Sequence, residues 1–203
     1  MDLKNILYVH GFNGSSCGGS FKKILEALPD GYLLHSIDYD QSDCSVARRQ
    51  IMDYIDTCHI SLVIGSSLGG FITLTLGGVP RFVINPCLKP SAELCKLTTP
   101  DAEYQKLIST YIPYEDWMEK YSDYEERIMV KGFFATDDEL LGTKYVGDFA
   151  KYYGNYEMIS GGHHVSAEGA RQLFAHIDEY WKHVDRLSRN SDAMDDLIAD
   201  AFS

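Results

Sequence analysis

Short apolar runs alternate with longer stretches of helical spacing along the chain. ILYVH at 6–10 reads as a buried strand. Phe21, Ile24, Leu25 and Leu28 then recur at helical intervals, and Pro29-Asp30-Gly31 closes that helix. The pattern repeats with a strand over YLLHSIDY (32–39), a helix marked by Val46, Ile51, Met52 and Ile55, and a strand over SLVIG (61–65). Helix-length sequence at 68–76 and a strand over RFVIN (81–85) follow. The rhythm resumes with a strand over RIMVKGFFA (127–135), a helical stretch at 143–153 and a strand over YEMI (156–159). A final helix carries Ala170, Leu173, Phe174, Ile177, Trp181 and Val184 on one face. Alternation this regular predicts an α/β fold, an open and mostly parallel sheet with helices on both faces.

Residues 86–126 break the rhythm. They hold Pro86, Pro90, Pro100 and Pro113 and an aromatic cluster of Tyr104, Tyr111, Tyr114, Trp117, Tyr121 and Tyr124, with no strand pattern. This reads as a small helical, cap-like insertion between two core strands. It either walls the ligand crevice or forms a satellite aromatic core. The expected organisation is one domain over 1–185 containing this insertion, followed by a tail at 186–203. Met194, Leu197, Ile198 and Phe202 give that tail the pattern of a short amphipathic helix.

Composition narrows the class. A chain of 203 residues, 45% hydrophobic and 24% charged, suits one globular domain with a sizeable core. The net charge of −12 argues against a nucleic-acid partner and against anionic membrane surfaces. No apolar run reaches the roughly 18–20 residues that cross a bilayer, so no integral membrane association is expected. The opening MDLKNILYVHGF does not read as a secretory signal. Five cysteines (Cys17, Cys44, Cys58, Cys87, Cys95) without a CxxC spacing fit free thiols rather than a disulfide framework. Together these point to a cytoplasmic protein.

The chemistry begins at LVIGSSLGGFI (62–72). Gly65-Ser66-Ser67-Leu68-Gly69 fits G-x-S-x-G, with an apolar strand before it and a helix after it. The bare pentapeptide arises by chance in roughly one chain in ten of this length, so the flanking elements carry much of the weight. A turn this sharp strains its central residue, and the glycines avoid collisions on either side. It would hold Ser67 Oγ clear of the backbone and turn the Leu68 N–H toward a developing oxyanion.

A serine hydroxyl needs a base, and the base needs an orienting acid. In this motif's fold they follow in the order Ser, acid, His, each after a later strand. Strand 127–135 is followed by TDDELL, and strand 156–159 by SGGHHVSAEG. Asp138 is the expected acid, with Asp137 and Glu139 as rivals. His164 is the expected base, with His163 as its competitor. The paired histidines also suggest a metal, but that needs further ligands, and adjacent side chains share an ion poorly. YVHGFNGSS at 8–16 offers the Phe12 N–H as second oxyanion donor, with His10, Gly11 and Asn13 shaping its loop. The loop lacks the G-K-[ST] ending of a phosphate-binding P-loop.

The ordered set YVHGFN, GSSLGG, VINPCLKP, a T-x-D-E-x-L acid loop and GGHH resembles the YqiA-like small bacterial esterases of the α/β-hydrolase superfamily. The resemblance runs from about residue 6 to about residue 180. It implies an α/β-hydrolase fold and hydrolysis of small-molecule acyl esters or thioesters. Carried over by position, it implies Ser67 as nucleophile, Asp138 as acid and His164 as base, with Asp137 standing where the family has glycine. Such chemistry requires no metal or organic cofactor. Two alternatives stay open: an amidase or peptidase using the same triad, and a non-catalytic binding module on the same fold.

Overall fold

A computed structural model describes residues 3–96, 102–121 and 127–201. Six parallel strands form one sheet: β1 (Lys4–Val9), β2 (Tyr32–Ser36), β3 (Leu62–Ser66), β4 (Arg81–Ile84), β5 (Val130–Ala135) and β6 (Tyr156–Ile159). Their spatial order is β2-β1-β3-β4-β5-β6. The chain leaves β1 for β2 on one side and returns as β3 on the other. In a parallel sheet that reversal opens a crevice beyond the carboxyl ends of the two strands it separates, here β1 and β3. The loops that leave those ends begin with His10 and Ser67.

The helices are α1 (Gly19–Glu26), α2 (Cys44–Thr57), α3 (Leu68–Leu74), α4 (Pro90–Glu93), α5 (Ala102–Tyr121), α6 (Val146–Tyr152) and α7 (Ala167–Ala201). Alternate strand positions face opposite layers. Leu7, Val9, Val63, Val83 and Phe134 pack with Ile51 of α2, Phe71 of α3 and Phe149 of α6. Ile6, Tyr8, Ile64, Phe82 and Phe133 pack with Ile24 of α1 and with Leu173, Phe174 and Ile177 of α7. Burial on both faces is why these strands read as nearly unbroken apolar runs. Each such side chain contributes about 1.5–3 kcal/mol on leaving water.

Two arginines fix the helix that follows Ser67. Arg48 Nε and Nη2 donate to the Thr75 carbonyl at 3.1 and 2.7 Å, and buried Arg81 donates to the carbonyls of Leu74 and Leu76. Cationic donors at a helix C-terminus satisfy its last acceptors and oppose its dipole. At the start of α2, the Asp43 carboxylate accepts from the N–H groups of Ser45 and Val46. A cap of that kind is worth about 1 kcal/mol.

The strand expected from 127 begins at Val130, and the sheet is wholly parallel among the described strands. The described part of the segment after β4 holds α4 and α5 and no strand, as its missing strand pattern implies. Its aromatics join the main core: Tyr111 packs 6.0 Å from Phe71 between ring centres and donates to the Gln41 carbonyl at 2.7 Å. Tyr104 donates to the Ser91 carbonyl at 3.0 Å. Tyr124 and the side chains of Trp117 and Tyr121 lie outside the described residues. The helix expected in the tail is the far end of α7, which runs unbroken to Ala201. The tail's apolar side chains also lie outside the described residues. No described helix is long and apolar enough to cross a membrane.

Candidate active site

β3 ends one residue before Ser67 and α3 starts one residue after it. The reversal forces Ser67 to φ 54° and ψ −118°, a region that side-chain-bearing residues seldom occupy. A Cβ on Gly65 would lie 2.6 Å from the Gly69 carbonyl oxygen, so both ends of the pentapeptide press together under the serine. The Ser67 backbone is held from both sides. Its N–H donates to the Ile84 carbonyl at 3.0 Å, and its carbonyl accepts from Phe71 and Cys87 at 3.0 and 3.1 Å.

His163 Nε2 lies 3.0 Å from Ser67 Oγ. His163 Nδ1 lies 3.1 and 3.0 Å from the two carboxylate oxygens of Asp138. A carboxylate only accepts, so Nδ1 carries the proton and Nε2 presents its lone pair to the serine hydroxyl. The expected base, His164, is not the residue so placed. His164 is exposed, with its ring centre 5.9 Å from that of His163. The placement of His163 has a backbone cause. Gly161 at φ 130° turns the chain, the Glu139 carboxylate accepts the His163 N–H at 2.9 Å, and the Asn85 amide donates to the carbonyls of Gly162 and His163 at 3.2 Å each.

Asp138 sits in the loop after β5. One of its oxygens also accepts the N–H groups of Leu140 and Leu141, at 2.9 Å each. Burial acts to raise its carboxyl, but the His163 hydrogen bond and these two N–H groups prevail and hold it below the usual carboxylate range. Asp137 points elsewhere, accepting from the Thr136 hydroxyl at 3.1 Å, while its N–H bonds the Gly161 carbonyl at 2.9 Å. Glu139 is held below its ordinary value chiefly by the His163 N–H.

The loop after β1 passes directly over the serine. A Cβ on Gly11 would lie 3.0 Å from Ser67 Cβ and 3.6 Å from its Oγ. His10 is buried beneath this loop rather than paired with Ser67. Its Nδ1 donates to the Gly11 carbonyl at 2.9 Å, its ring stacks 4.8 Å from Tyr39, and Tyr39 donates to the His10 carbonyl at 2.6 Å. Bonding the Gly11 carbonyl from one side leaves the N–H of the same peptide, that of Phe12, directed the opposite way. The Asn13 N–H is anchored on the Gln41 side chain at 2.7 Å. Leu68, first residue of α3, has no acceptor for its N–H within the helix.

A cavity of about 540 Å³ opens at Ser67 and His163. Tyr8, Phe12, Phe21, Leu140 and Val165 give it apolar walls, with Lys23 also on its lining. No described residue of 86–126 lines it, and its described lining comes from the loop after β1, the start of α1 and the turns around Asp138 and His163. Among the described residues, no cluster of three or more acidic, histidine or cysteine side chains is arranged to hold a metal.

Sequence reasoning missed the roles of Asn85, Tyr39 and Phe21. Asn85 left one signal, an asparagine at a strand end directly before a proline.

Comparison with known proteins agrees with this architecture. The model of an uncharacterised protein family (UPF0227) matches residues 5–179. No curated protein matches the chain. Among solved structures, the chain is similar to MGS-MChE2, an alpha/beta hydrolase enzyme from the metagenome of lagoon sediments at Mar Chica, Morocco. The TM-score is 0.65 at 16% identity, covering 91% of this chain and 93% of that one. It is similar to Est1E from Butyrivibrio proteoclasticus with ferulic acid bound, at TM-score 0.66 and 15% identity, covering 90% and 89%. It is also similar to the esterase domain of a Rhodothermus marinus protein, at TM-score 0.60 and 18% identity, covering 85% and 86%. The fold is therefore that of the α/β hydrolases.

Proposed function

The chain belongs to the uncharacterised protein family UPF0227, within the YqiA-like α/β hydrolases, and from that premise we propose that it is a serine hydrolase cleaving carboxylic esters or acyl thioesters. The observation that carries this reading is the 3.0 Å approach of His163 Nε2 to Ser67 Oγ, with the Asp138 carboxylate behind the imidazole. The order Ser67, Asp138, His163 along the chain is the order this fold uses.

In the proposed reaction, His163 takes the Ser67 proton as Oγ attacks the acyl carbonyl. The N–H groups of Leu68 and Phe12 receive the tetrahedral oxyanion, each worth about 3 kcal/mol in sites of this kind. Asp138 holds the imidazole tautomer and stabilises the imidazolium that forms. His163 then gives its proton to the departing alcohol or thiol. In the second half-reaction it takes a proton from water, which attacks the acyl-enzyme and frees Ser67. No metal or organic cofactor enters these steps. Apolar walls beside the serine suit a hydrocarbon portion of a small-molecule substrate.

The test is a panel of p-nitrophenyl esters and acyl thioesters assayed with the native chain and with Ser67→Ala. Turnover lost in a variant that keeps its native circular dichroism is the expected result. Equal rates in both proteins would refute the reading.

A further inference from the structure

Asn85 stands just beyond the end of β4, buried and at φ 45°, a left-handed conformation that asparagine tolerates better than most residues. All three of its amide hydrogen-bonding contacts go to backbone. Nδ2 donates to the carbonyls of Gly162 and His163, at 3.2 Å each. Oδ1 accepts the Ala135 N–H at 2.7 Å. Ala135 is the last residue of β5, three before Asp138. The Asn85 N–H itself bonds the Phe133 carbonyl at 2.8 Å. Its neighbours in sequence grip the third segment: the Ile84 carbonyl accepts the Ser67 N–H, and the Cys87 N–H donates to the Ser67 carbonyl. Residues 84–87 thus touch the backbone of the nucleophile turn, the strand leading to the acid and the loop bearing the histidine.

We infer that Asn85 is a positioning residue, whose amide sets which of two adjacent histidines faces Ser67 by holding the backbone of Gly162 and His163. The inference rests on the hydrolase reading above. Two successive carbonyls are drawn to one NH2 group on the sheet side, so the peptide between them cannot rotate freely. With the His163 N–H held on Glu139, the residue is fixed at both its N–H and its carbonyl, and its side chain is left to span Ser67 and Asp138. The amide orientation is dictated by its partners: the Ala135 N–H needs an acceptor and the two carbonyls need donors.

Two substitutions separate positioning from folding. Asn85→Asp keeps the shape and the acceptor for Ala135 but turns an oxygen toward the two carbonyls. Asn85→Gly keeps the left-handed backbone accessible and removes the amide. Both are compared with the native chain for kcat and KM on one p-nitrophenyl ester, expressed per active site titrated with a fluorophosphonate. Asn85→Asp should lower kcat by about 10²-fold, the scale of a misplaced catalytic group, with KM little changed. Asn85→Gly should lower it less. Unchanged kcat per titrated site, or a rise in KM alone, would overturn the inference. Failure of both variants to fold would also overturn it, because Asn85 would then serve the fold and not the base. A native chain that neither turns over nor titrates would instead remove the hydrolase reading itself.

Discussion

His163 Nε2 lies 3.0 Å from Ser67 Oγ although 96 residues separate them. The contact forms because the loop after β6 is drawn back onto the ends of β4 and β5, where Asn85 and Glu139 hold its backbone. His164 shares the loop but not these restraints. His163→Gln should therefore lower kcat/KM for a p-nitrophenyl ester by about 10⁴-fold or more. His164→Gln should stay within about threefold of the native value, because His164 is exposed on the cavity lining and bonds neither Ser67 nor Asp138. The reverse ranking would exchange the two roles.

Asp138→Asn should leave the fold in place and lower kcat by about 10⁴-fold, because an amide in that position favours the wrong imidazole tautomer. Asp137→Asn should have little effect on kcat, since Asp137 is turned toward Thr136. Steady-state kinetics on the two variants distinguish them, and equal losses would contradict the assignment of the acid.

The cavity walls predict where chain-length preference resides. Phe21→Ala and Leu140→Ala both alter apolar lining. Each should shift the preferred acyl chain across a C2 to C10 ester series. Ile112→Ala, on the exposed side of α5, should leave that preference unchanged. A shift in the Ile112 variant with none in the other two would return the wall to the insertion.

Glu93 gives a stability prediction separate from catalysis. Its buried carboxylate takes the Tyr145 hydroxyl at 2.8 Å, Lys96 at 2.6 Å and Lys144. Burial acts to raise its pKa, but these three donors together bring it down to about 2. A lowered carboxyl pKa stabilises the fold above the unfolded value, near 4.3, and the contribution disappears as pH falls through the folded value. Both lysines are half in solvent, which weakens the pairing. Glu93→Gln should cost about 2 kcal/mol at pH 7 in urea unfolding, with the gap from the native chain narrowing from pH 5 toward pH 2. A gap independent of pH would contradict this account.

Much of the architecture was legible because the central strands β1, β3, β4 and β5 are buried on both faces and helices such as α1 and α2 bury one face. The resemblance to YqiA-like hydrolases, expected over about 6–180, agrees with the family match at 5–179. Ser67 was legible because the strained turn demands glycines on both sides. Which histidine faces it was not. That choice depends on Gly161 at φ 130° and on hydrogen bonds from Asn85, 78 residues away from His163. The pocket walls were hidden for a related reason. Composition left Tyr104 and Tyr111 open between a crevice wall and a satellite core, and only their contacts decide it: their hydroxyls find acceptors at Ser91 and Gln41 and their rings join the core.

The most direct measurement is reaction with a fluorophosphonate followed by peptide mapping, on the native chain, His163→Ala and His164→Ala. One modified residue, Ser67, is expected in the native chain and in His164→Ala at comparable rates, with a rate reduced by orders of magnitude in His163→Ala. Fast labelling of Ser67 in a folded His163→Ala protein, or no labelling of a folded native chain, would contradict the triad.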